Sequence, residues 1–91
     1  MQGMEERFFL YDDTVATKTR FVSFMGENER HDLALLYSDR HYGKTIVLDM
    51  QRNKFAIIGT DDLNEPGYLE HAFSVSEEIA EELRSFLFEL I

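Results

Sequence analysis

The stretch TIVLDMQRNKFAIIG (residues 45–59) decides the fold. Two short runs, 45–50 and 55–59, are rich in β-branched and aromatic residues, which suit a pleated sheet. Between them lies the polar link Gln51-Arg52-Asn53-Lys54. A link this short closes an antiparallel hairpin, whereas a parallel crossover needs about a dozen residues or more.

Upstream, DRHYGK (39–44) leads into the first run. Gly43-Lys44-Thr45 spells the end of a phosphate-binding loop. That loop needs an earlier glycine at position 38, which is Ser38. It must also open into a helix, whose N-terminus adds positive dipole. A strand follows instead, so Gly43 reads as a hairpin glycine with positive φ. Further upstream, 33–38 is apolar, Gly26 to Arg30 form a break, and TKTRFVSFM (17–25) alternates. RFFLY (7–11) is short, apolar and aromatic, and reads as a first strand followed by the turn residues Asp12-Asp13-Thr14.

Downstream, 60–67 reads as a loop ending in Pro66-Gly67, and YLEHAF (68–73) fits either a strand or a helical turn. The last segment is plainer. Ser76 is a suitable N-cap, and Glu77 and Glu78 stand where the helix dipole favours acids. Ile79, Leu83, Phe86, Leu87 and Leu90 then form one apolar stripe, predicting a helix over 77–91.

The expected fold class is α+β: a two-layer α/β sandwich, with an antiparallel sheet of about five strands packed by the C-terminal helix. Its 91 residues make one domain, 1–91, with the sheet over 7–59. One helix covers one sheet face. The strands carry apolar residues on both sides, so the second face needs a cover, either residues 60–73 or another copy of the chain. A homodimer is the expectation.

Composition narrows the function. There is no cysteine, which removes disulfides, thiolate metal sites and thiol nucleophiles, and fits a cytoplasmic setting. No apolar run reaches the ~20 residues of a membrane helix, and the N-terminus lacks the pattern of a secretory leader. The net charge of −9 disfavours nucleic acid and anionic membranes. The charge is uneven: residues 18–54 carry seven Lys and Arg against five acids, while 55–91 carry Arg84 against nine acids.

In a meander, the basic residues Lys18, Arg20, Arg40, His41 and Lys44 gather at one end of the sheet, a candidate anion-binding cluster. Asp12, Asp13, Asp61 and Asp62 reach the same end and form a candidate divalent-metal set for a metal-assisted hydrolase. The histidines, His31, His41 and His71, have no metal-ligand spacing and read as surface or turn residues. Phe21, Phe24, Tyr37, Tyr42 and Phe55 could stack nucleic-acid bases. The RNA-recognition signature is absent, however, and core packing is the preferred reading. No serine sits in a nucleophile elbow, and no cofactor fingerprint occurs.

The pieces FFLYDDT, TRFVSFMG, YGKT, FAIIG and EPGYLEH resemble a family of small cytosolic bacterial proteins of unknown function, over nearly the whole chain. The resemblance implies a small single-domain α/β sandwich and brings no activity, cofactor or active site. The leading functional expectation is therefore a non-enzymatic interaction or regulatory module, homodimeric, with a further protein partner. Anion or nucleic-acid binding through Arg20, Arg40, His41 and Lys44 is the alternative, and the hydrolase comes third.

Overall fold

A computed structural model of the chain describes residues 7–39 and 43–91. Four strands, β1 (Lys18–Met25), β2 (Arg30–Tyr37), β3 (Thr45–Asp49) and β4 (Lys54–Ile58), form one antiparallel meander in the order β1-β2-β3-β4. Three helices follow: α1 (Thr60–Leu63), α2 (Tyr68–Phe73) and α3 (Glu77–Leu90).

The turns have local causes. Gly26 N–H donates to the Glu29 carbonyl at 2.8 Å and closes the β1–β2 turn. Asp49 Oδ1 accepts from the amides of Gln51 and Arg52, both at 3.2 Å, which bends the chain between β3 and β4. Asn53 completes that turn at φ 59°. Gly43 stands at φ 82°, the left-handed conformation expected of a hairpin glycine, and Thr45 then opens β3.

Strand alternation separates two faces. Leu33, Leu35, Val47, Ala56 and Ile58 point to the helical layer and are buried with Leu63, Leu69, Phe73, Ala80, Leu83 and Leu87. α3 starts as the sequence indicates: Ser76 Oγ accepts from the Ile79 amide at 3.3 Å. Side chains clamp the layers together at polar backbone atoms. Tyr37 donates its hydroxyl to the Leu90 carbonyl at 2.9 Å and Tyr68 to that of Ile57 at 3.0 Å, while within the helical layer Arg84 Nε of α3 donates to the Leu63 carbonyl of α1 at 2.9 Å.

Two expectations need correction, and the open reading of YLEHAF is resolved. The sheet has four strands, because 7–11 joins no ladder among the described residues. Phe8, Phe9 and Leu10 are instead 82%, 79% and 93% exposed. Aromatic content favours a strand, but a strand forms only where an edge pairs with it. The 60–67 loop contains α1, which starts where Gly59 N–H donates to Asp62 Oδ2 at 2.9 Å. YLEHAF is helical, because Leu69 and Phe73, four apart, both bury against the core.

This arrangement also settles where 60–73 goes. Leu63, Leu69 and Phe73 belong to the same core as α3, so α1 and α2 cover the face that α3 covers. No helix among the described residues covers the other sheet face.

Candidate functional site

The open face is built by alternation and register. Across the four strands, Phe21, Ala34, Leu48 and Phe55 stand opposite one another in one row. Thr19, Leu36, Ile46 and Ile57 form the next. Neighbouring strands lie ~4.8 Å apart, so the first row is a continuous apolar ridge and the second is apolar from Leu36 to Ile57. Phe21 is 71% and Phe55 67% exposed, while Ala34, flanked in its row by Phe21 and Leu48, is buried. Leu36, Ile46 and Leu48 are half-buried.

One end of this face is polar and ordered. Asp32 accepts from Ser23 Oγ at 2.6 Å, from Gln51 Nε2 at 2.5 Å and from Arg30 Nε at 3.2 Å. The Ser23 hydroxyl, then Gln51, hold the Asp32 carboxyl below its ordinary range. Arg30 is the one cation among the strand positions of this face, and Asp32 pairs with it at 3.1 Å. At the other end Tyr11, Val15 and Thr17 meet Leu36 and Ile46 around a groove of about 310 Å³.

The anticipated basic cluster is assembled only in part. Lys18 and Lys44 line a groove of about 470 Å³ with Asp39. Arg20 lies further along β1, opposite Leu35. Arg40 and His41, with Tyr42, lie outside the described residues. Lys44 Nζ donates to Asp62 Oδ2 at 2.9 Å and stands 3.7 Å from Asp61. The Asp62 bond raises the Lys44 pKa, and the Gly59 amide, followed by Lys44, lowers that of Asp62. Lys44 is thereby engaged within the chain. Asp61 and Asp62 meet Lys44, Asp13 and Asp12 are exposed on the N-terminal segment, and no group of three or more metal-ligating side chains occurs among the described residues.

His31 was expected at the surface and is fully buried. Its Nε2 pairs with Glu82 Oε1 at 2.9 Å, and its ring stacks on Phe24 at 5.0 Å. Glu82 also accepts from the Asn28 amide at 2.9 Å and from Asn28 Nδ2 at 2.6 Å. The His31 bond is the main cause of its lowered pKa. Gly26 leaves room for this carboxylate, since a Cβ there would collide with it. The signal was present in the alternation, for His31 shares the parity of Leu33 and Leu35. Beside this pair, Glu77, Glu78 and Glu81 line a groove of about 730 Å³ with Met25 and Phe86.

The aromatics divide between the faces. Phe24 and Tyr37 pack against the core as expected, whereas Phe21 and Phe55 do not. Core packing was the wrong reading for those two, because hydrophobicity does not reveal which sheet face is covered.

The described chain is thus a four-stranded antiparallel sheet with helices on one face and an apolar opposite face. Residues 10–89 match the model of the SAV0927-like family, and the chain belongs to that family. No curated protein matches it. No helix among the described residues is long and apolar enough to cross a membrane.

Proposed function

We propose that this protein is a non-enzymatic interaction module that works as a homodimer joined through the open sheet face. The carrying observation is the apolar ridge that runs from Phe21 to Phe55, with both aromatic rings in water on a face that none of the described helices covers. Burying them is favourable by about 25 cal/mol per Å². A like face on a second copy is also free of the charge repulsion that a −9 chain meets elsewhere, since its cation and its acid, Arg30 and Asp32, neutralise each other. The same pairing argues against nucleic acid here, because stacking on exposed aromatics normally works beside cations that hold the phosphates.

Dimerisation leaves α3 outward. Its groove, with Glu77, Glu78, Glu81 and Glu82, suits a basic segment of a further protein partner. Cytoplasmic residence belongs to the same proposal, since a chain without cysteine suits a reducing compartment.

Sedimentation equilibrium tests the reading. The wild-type chain is expected to run as a dimer at micromolar concentration. Phe21→Glu/Phe55→Glu is expected to weaken the dimer by about a hundredfold, as for central interface anchors, with unchanged far-ultraviolet circular dichroism. A wild-type monomer at that concentration overturns the proposal.

A further inference from the structure

We propose that residues 7–17 form an exchanged arm, rooted on its own chain, whose tip, residues 7–10, lies in the homodimer across the open sheet face of the other copy. The inference rests on the self-association reading above and specifies what covers the face.

Three observations carry it. The chain has two uncovered apolar features, and they complement each other. Phe8, Phe9 and Leu10 are 82%, 79% and 93% exposed, and Phe21 and Phe55 on the open face are 71% and 67% exposed. The arm and the helical layer also lie on different sides. Val15 and Thr17 share a groove with Leu36 and Ile46, which are open-face residues. The root of the arm therefore already runs onto the end of the apolar face. Its tip does not continue down that face within one chain, as the exposure of Phe8 to Leu10 records.

The third observation is area. Phe8, Phe9, Leu10, Phe21 and Phe55 each expose two-thirds or more of their surface. Side chains of this size carry roughly 200 Å² each. With the partly exposed Leu36, Ile46 and Ile57, a single copy offers on the order of 800 Å², which is what one partner of a standard interface buries. Neither the arm nor the face reaches that area alone. Reciprocal exchange about a two-fold axis uses both in each copy, and exchange of an identical segment needs no new surface.

The chain has no cysteine, so two introduced thiols are the only ones present. Arg7→Cys labels the arm tip. Met50→Cys labels the far end of the open face, where Met50 borders Leu48 and Phe55. Equal amounts of the two full-length single variants are mixed and treated with a short bismaleimide. The expected product is a covalent heterodimer carrying one chain of each kind, and the Arg7→Cys/Met50→Cys double variant should likewise cross-link at dimer mass. Phe8→Ser/Phe9→Ser/Leu10→Ser is expected to abolish that product and raise the dimer dissociation constant by about tenfold or more. These positions are in water in the single chain, so the variant retains its core. Cross-linking of the double variant at monomer mass would mean that the arm closes its own face, which overturns the exchange. A stable dimer that gives no 7-to-50 product and ignores the arm substitutions also overturns it, while leaving self-association through the face intact. A monomer without any cross-link removes both.

Discussion

At the scale of single residues, the most consequential side chain is His31. Alternation put it on the covered face, where burial without a partner would be costly. Glu82 supplies the partner at Nε2, and two bonds from Asn28 hold Glu82 in place. The arrangement joins the β1–β2 turn to the middle of α3. It also predicts an acid dependence. Glu82, Asp62 and Asp32 all have carboxyls held below their ordinary range in the folded chain, by His31, the Gly59 amide and Ser23 respectively. Unfolded, each takes up its proton at the ordinary value, near about pH 4. The stabilisation is therefore complete above that pH and is lost as pH falls through the lower folded values. Urea midpoints are expected to drop between about pH 6 and about pH 3, and Glu82→Gln should start lower and decline less steeply. Equal slopes for the two proteins would contradict this origin of the acid dependence.

At the scale of elements, legibility followed the range of the interactions. The β3–β4 hairpin and α3 were readable because their signals are local: a four-residue polar link, and an N-cap followed by one apolar stripe. Gly43 was readable for the same reason, since its positive φ belongs to the turn alone. α2 was not readable. Six residues are too few to show a period, and what makes YLEHAF helical is the burial of Leu69 and Phe73 under α3 and β4. Phe73 is 1% exposed, and Phe73→Ala is expected to cost about 3–5 kcal/mol by cavity formation. Urea denaturation measures it, and a loss below about 1 kcal/mol would show that α2 contributes little to the core. The segment 7–11 failed in the opposite sense. Its composition suits a strand, but among the described residues no sheet edge pairs with it.

At the scale of the whole molecule, the sheet is covered once. Among the described residues, three helices share one side, and an apolar face and an apolar arm are exposed. If a second copy covers them, folding and association are linked by mass action, and stability depends on protein concentration. The melting temperature of the wild-type chain is expected to rise as concentration increases from about 5 to about 500 μM. That of Phe21→Glu/Phe55→Glu should stay constant over the lower part of that range and rise only near its upper end, as a hundredfold weaker dimer requires. A concentration-independent wild-type midpoint would separate folding from association. The candidate surface was half legible beforehand: apolar residues on both sides of the strands required a cover, but nothing local identified the uncovered side.

By itself, the sequence determined the antiparallel sheet, the turn at Gly43, the C-terminal helix and the surplus of apolar strand surface. Each depends on neighbours a few residues away, through turn chemistry, capping and periodicity. Only the tertiary structure decided that α1 and α2 join α3 on one face, that His31 meets Glu82, and that Phe21 and Phe55 are left exposed. Those outcomes depend on which side of the sheet a distant segment packs against. Residues 60–73 could have closed either face by composition. The connection from β4 through Gly59, with Leu63, Leu69 and Phe73 turned inward, delivers them to the face that α3 also covers.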